Sequence, residues 1–188
     1  MKCDAGFDIF DWVITNGTDG KRTQTRIGEI ENSSLVEVLN ICQPKHEYTN
    51  ITREGYWRRT ENIIRFKIKG AVGNRAYGLT VSTNHLMLVN RPLSGPLPEK
   101  ICNNSTNVLL IRASDVLDTD QMYARLDGPP NPPEAAKWHN IEKIEPREDS
   151  WMVSRVVETG QGKIEVNSVL VTTYCSNAPY LTPKPICF

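Results

Sequence analysis

Short β-branched and aromatic runs recur along the whole of this 188-residue chain, separated by turn formers. Nowhere is the i, i+3, i+4, i+7 apolar spacing of an amphipathic helix sustained for ~11 residues. The runs lie at 10–15, 35–41, 63–68, 77–82, 86–89, 108–111, 121–126, 141–144, 151–157 and 163–174. Between them stand Asn16-Gly17-Thr18-Asp19-Gly20, the stretch 70–74, the proline-rich run 127–133 and Gly160-Gln161-Gly162. Strands of that length punctuated by glycine, proline and asparagine predict an all-β fold of about ten or more strands. The length suits one domain. The one helical exception is 112–117, a short turn leading into the strand at Gln121. Prolines cannot donate to a ladder, so 129–133 is predicted to be an exposed loop. Residues 177–188, with prolines at 179, 183 and 185, are predicted to form a loosely held tail.

Charge narrows the function. Twenty-two basic side chains balance 22 acidic ones, which argues against the cationic surface that nonspecific phosphate binding needs. Arg53 and Trp57-Arg58-Arg59 have Glu54 and Glu61 interleaved, as expected of a solvated hairpin face. No nucleic-acid partner is expected. No run reaches the roughly 18–20 apolar residues of a membrane helix, so no membrane span is expected either. Five cysteines (Cys3, Cys42, Cys102, Cys175, Cys187) form no C-x-x-C pair and no cluster with histidine at zinc spacing. No metal site and no cofactor are expected. Asn-x-Ser/Thr acceptors occur at Asn16, Asn32, Asn50, Asn103 and Asn104, which point to the secretory pathway or the extracellular space, with chance recurrence and a cytoplasmic location as the alternative.

Imidazole chemistry at neutral pH must come from His46, His85 or His139. His46 and His139 have polar, charged neighbours and read as surface residues. His85 sits where one strand yields to another, with the hydroxyls of Ser82 and Thr83 within three positions. It reads either as a catalytic group or as a histidine that caps a strand end. Cys3 is the second candidate, because a thiol is a better nucleophile than a hydroxyl; the alternative for it is an inert core residue.

Taken together, these blocks resemble the hedgehog/intein (Hint) superfamily of self-processing domains, and especially its hedgehog C-terminal type. Cys3 stands where the family has the cysteine of the scissile junction. Ile27-Gly28-Glu29-Ile30 is similar to its Leu-Gly-Glu-Leu segment, and Leu79-Thr80-Val81-Ser82-Thr83-Asn84-His85-Leu86-Met87-Leu88-Val89 to its Leu-Thr-x-Thr-x-x-His-Leu-x-x-Val element. Arg112-Ala113-Ser114-Asp115 follows, and then Val166-Asn167-Ser168-Val169 with Thr172-Thr173-Tyr174. The chain departs from the pattern in several places. Ser82 replaces the motif threonine, with Thr83 beside it; Ser33-Ser34 stands for an expected Gly-Asp; Thr173 replaces the cysteine of Ser-Cys-Tyr, with Cys175 two residues on. No carboxylate near Tyr56-Trp57 matches the aspartate that activates a sterol in hedgehog domains, and Ser176-Asn177 lacks the histidine of a splicing terminus.

The resemblance implies a compact Hint-type β fold with long hairpins over 3–175, followed by a tail over 176–188. It implies single-turnover cysteine autoproteolysis in which Cys3 attacks the carbonyl of Lys2 by an N-to-S acyl shift. In that reaction His85 protonates the departing nitrogen and the hydroxyl of Ser82 or Thr83 polarises the junction. Thr173 and Cys175 are candidates for support or for a second step. The partner is the chain's own upstream segment. Water, a thiol or another small nucleophile resolves the thioester in preference to a sterol, and the domain is expected to act as a monomer. The rival reading is a degenerate Hint-like or β-rich secreted glycoprotein module that binds a partner and catalyses nothing.

Overall fold

Alternation of apolar and polar side chains builds the sheet, and strand β7 (Ile63–Ile68) shows how: Ile64, Phe66 and Ile68 are buried while Arg65 and Lys67 between them are exposed. The computed structural model describes residues 6–39, 46–69, 78–92, 108–125, 136–174 and 184–185. In the first half lie β1 (Gly6–Asp8), β2 (Trp12–Asn16), β3 (Arg22–Arg26), β4 (Leu35–Leu39), β5 (His46–Glu54), β6 (Arg58–Thr60), β7 and β8 (Gly78–Ser82). The second half adds β9 (Leu86–Asn90), β10 (Val108–Arg112), β11 (Gln121–Ala124), β12 (Lys137–Ile144), β13 (Met152–Thr159), β14 (Lys163–Val166), β15 (Val169–Thr172) and the two-residue β16 (Lys184–Pro185).

Every ladder among the described residues is antiparallel, and the strands join into one continuous network. Strand β1 is central to it, pairing with β8 on one side and β13 on the other, with Phe7 opposite both Val81 and Arg155. Gly6 is required there by close approach, since a Cβ at this position would lie 2.7 Å from the Ser154 hydroxyl. The fold is thus all-β, as the sequence predicts.

One apolar cluster gathers Phe7, Val13, Ile27, Phe66, Val81 and Met87 with many others; a second holds Val38, Leu39, Leu88, Val108, Tyr123 and Leu170. Buried charges accompany them and are paired. The Arg125 guanidinium, 2% exposed, lies 2.5 Å from Glu165 and 3.7 Å from Glu37, which also takes a two-pronged bond from Arg22. Arg155 donates to the carbonyls of Ile27, Ile30 and Gly55 and to the Glu54 carboxylate. It therefore fastens the 3-10 turn Ile27–Glu29, the segment read as Ile-Gly-Glu-Ile, onto β13.

Some elements differ from expectation. The run 163–174 is a hairpin, because Asn167 (φ 49°) and Ser168 (φ 68°) both take the left-handed conformation and turn the chain between β14 and β15. Strands β3 and β6 escape a hydrophobic reading because their residues are mostly polar, and β5 because its sequence, HEYTNITRE, carries one aliphatic side chain, the buried Ile51, among polar neighbours. The helical stretch 112–117 reduces to a 3-10 turn, Ala113–Asp115. In the tail, Lys184–Pro185 pairs with β10; the proline loop 129–133, the stretch 70–74, all five cysteines, Asn103 and Asn104 lie outside the described residues. No helix among the described residues is long and apolar enough to cross a membrane.

Candidate active site

Strand β8 ends at Ser82, and a tight turn closed by the His85 N–H donating to the Ser82 carbonyl (3.0 Å) delivers the imidazole into the interior. The turn is tied down on three sides. Thr83 N–H donates to Asn62 O (2.9 Å), Ser114 N–H to Thr83 O (3.1 Å) and Ala113 N–H to His85 O (2.8 Å). The short Ala113–Asp115 turn, read in the sequence as a motif of its own, thus braces the histidine.

The end of β15 packs against the imidazole. His85 is fully buried, its Nε2 lies 2.8 Å from the Thr172 carbonyl oxygen, and its ring meets Phe7 edge-on at 4.8 Å between centroids. A carbonyl can only accept, so Nε2 carries the proton and Nδ1 holds the free lone pair. Burial pushes the imidazole pKa down to about 4, against a smaller upward pull from the Thr172 carbonyl, so the ring is neutral at pH 7.

Buried polar atoms almost always find partners, which makes the exceptions informative. His85 Nδ1, Ser82 Oγ and Thr173 Oγ1 are buried with no hydrogen-bond partner among the described residues. Ser82, Thr83 and His85 share one turn, and Thr173 follows directly on the strand end that holds the imidazole. Thr83 is half-buried, with its backbone bonded on both sides. Cys3 and Cys175 lie outside the described residues. Of the other two histidines, His139 sits on β12 opposite Met122, and His46 begins β5.

Sequence reasoning missed two neighbours. Phe7 belongs to a strand of three residues, too short for a periodic signal. Thr172 acts through its backbone carbonyl, which no side-chain pattern announces. Away from the imidazole, Asn167 donates to Asp11 Oδ1 and to Gly78 O, both at 2.7 Å, and its own Oδ1 accepts from Trp12 N–H at 2.8 Å. Asp11 Oδ2 is buried without a hydrogen-bond partner, and burial raises the carboxyl to about 7, with Asn167 pulling the other way. This cluster fixes β2 to the β14–β15 hairpin and to the start of β8. Among the described residues, no group of three or more histidine, cysteine, aspartate or glutamate side chains is placed to hold a metal ion.

No protein-family model matches the sequence, and no curated protein matches it. Its fold, however, matches solved structures over nearly its full length. A DnaB intein from Synechocystis sp. PCC 6803 aligns at TM-score 0.56 and 15% identity, covering 91% of this chain and 99% of the intein. A bacterial intein-like domain from Clostridium thermocellum aligns at TM-score 0.58 and 15% identity, covering 91% and 99%. An intein from a hyperthermophile aligns at TM-score 0.58 and 14% identity, covering 89% and 99%. The chain therefore has the Hint fold, the fold of the inteins it aligns with.

Proposed function

We propose that this domain cleaves the peptide bond between Lys2 and Cys3 by its own chemistry. The observation that carries the reading is His85: buried, neutral, with one nitrogen committed to Thr172 and the other unpartnered, packed against Phe7 of the strand that follows Cys3. Strand β1 runs antiparallel to β8 with Phe7 opposite Val81, so Gly6 lies at the end of β1 nearer Ser82. The sequence resemblance adds the cysteine, and the shared fold adds a scaffold on which inteins are built.

The chemistry balances with this chain's own groups. Nδ1 of His85 takes the Cys3 thiol proton, and the thiolate attacks the Lys2 carbonyl carbon to give a tetrahedral oxyanion. Ser82 or Thr83 donates its hydroxyl to that oxygen. The imidazolium, acidic because its site is dry, then returns its proton to the Cys3 nitrogen as the C–N bond breaks. The products are a Lys2 thioester on Cys3 sulfur and a free Cys3 amine. Water or a small thiol attacks the thioester carbonyl, releasing the upstream segment and restoring the thiol. Thr173, which follows the strand end that holds the imidazole and carries a buried hydroxyl without a hydrogen-bond partner among the described residues, is assigned to the second step, with Cys175 as an internal acceptor.

The finer placing, with the hedgehog type, rests on the sequence blocks from Cys3 to Tyr174; the asparagine acceptors favour the secretory pathway. The test is a fusion of a folded reporter upstream of Met1. Wild type is expected to separate from the reporter before Cys3, faster with dithiothreitol, while Cys3→Ala and His85→Ala stay intact. A wild-type fusion that stays whole under both conditions overturns the reading in favour of a binding module.

A further inference from the structure

Thr172 meets the strand around His85 twice. Its carbonyl accepts the Nε2 proton (2.8 Å), and its hydroxyl donates to the Leu86 carbonyl (2.6 Å), one residue beyond the imidazole. The next bond of the same seam runs from Leu86 N–H to the Tyr174 carbonyl at 2.9 Å. The end of β15 and the start of β9 are thereby held at one separation by side chain as well as backbone, at a threonine only 7% exposed. An imidazole has two neutral tautomers, and only the one protonated on Nε2 leaves Nδ1 able to accept a thiol proton. From this juxtaposition we infer that Thr172 is a positioning residue for the self-cleavage proposed above, its hydroxyl locking the carbonyl that selects the Nε2–H tautomer of His85. The inference rests on that reading, but the tautomer is measurable without cleavage.

Thr172→Val keeps the shape and removes the donor; Thr172→Ser keeps the donor. Long-range 15N–1H spectra of full-length protein report which ring nitrogen is protonated, and the reporter fusion gives the cleavage rate across pH. Wild type and Thr172→Ser are expected to show Nε2–H alone. Thr172→Val is expected to show a tautomer mixture and cleavage slower by about tenfold, the weight of one buried hydrogen bond at the upper end, with rate recovered in Thr172→Ser. Nδ1–H in wild type overturns the inference outright, even if Thr172→Val does not fold. So does a folded Thr172→Val with the wild-type tautomer, or with a shifted tautomer and an unchanged rate. If wild type does not cleave, the self-processing reading fails, and the spectra still decide whether Thr172 sets the tautomer.

Discussion

Phe7 meets His85 edge to face, their ring centroids 4.8 Å apart at an interplanar angle of 61°. Phe7 lies in the first described strand and His85 follows a turn nearly eighty positions later, so this contact joins two far-separated stretches of the chain at the buried imidazole. Phe7 is fully buried. Phe7→Ala is expected to cost about 3–5 kcal/mol, while Phe7→Leu, which fills most of the space but loses the ring edge, costs nearer 1 kcal/mol. Urea unfolding of both variants measures the difference.

The burial of His85 makes stability depend on acid in a defined window. Its folded pKa, about 4, lies below the ordinary 6.5. The unfolded chain therefore binds the proton first as pH falls, so the stability this group supports is complete above pH 6.5 and is lost as pH drops toward 4. The loss amounts to about 3 kcal/mol across that window. Urea midpoints are expected to fall between pH 6.5 and 4 in wild type and to fall less in His85→Gln, which has nothing to titrate. A His85 resonance that titrates near 6.5 contradicts the assignment.

Asp11 gives the opposite sign. Its folded pKa of about 7 stands above the ordinary 3.8, so its contribution is complete below pH 3.8 and is lost as pH rises through 7. Asn167 can donate to an amide oxygen as well as to a carboxylate. Asp11→Asn is expected to match wild type near pH 4 and to be more stable at pH 8, by on the order of 2 kcal/mol. Thermal unfolding at the two pH values checks it.

Arg125 is buried against Glu165 and Glu37. Removing the cation alone leaves carboxylates buried beside too little positive charge, so Arg125→Met is expected to lose about 3–5 kcal/mol. Replacing the pair together, Arg125→Met with Glu165→Leu, is expected to cost less than Arg125→Met alone. A double-mutant cycle by chemical denaturation reads the coupling.

Much of this fold is legible in the sequence where burial dictates pattern. Strands β7, β9 and β10 are apolar enough to announce themselves, and Gly20 and Gly162, both at positive φ, fall in the turns read from glycine. Strand β3, Arg-Thr-Gln-Thr-Arg, is held by its ladder with β2 rather than by buried side chains, so its composition carries little signal. Asn167-Ser168 is legible as a motif but not as a turn, since the residues on either side continue the β-branched run. At the site, His85 and Ser82 stand out because hydroxyls and a histidine interrupt apolar strands. The Thr172 carbonyl and the Phe7 ring do not, because one is backbone and the other belongs to a three-residue strand whose importance comes from pairing on both sides.

The most direct test is the mass of the products. With a folded segment fused upstream of Met1 and incubated at pH 7 with a small thiol, wild type is expected to yield one fragment ending at Lys2 as a thioester of the added thiol. The other fragment begins at Cys3 with a free amine, and neither appears from Cys3→Ala. An unchanged intact mass for the wild type, or breakage at any other bond, contradicts the account.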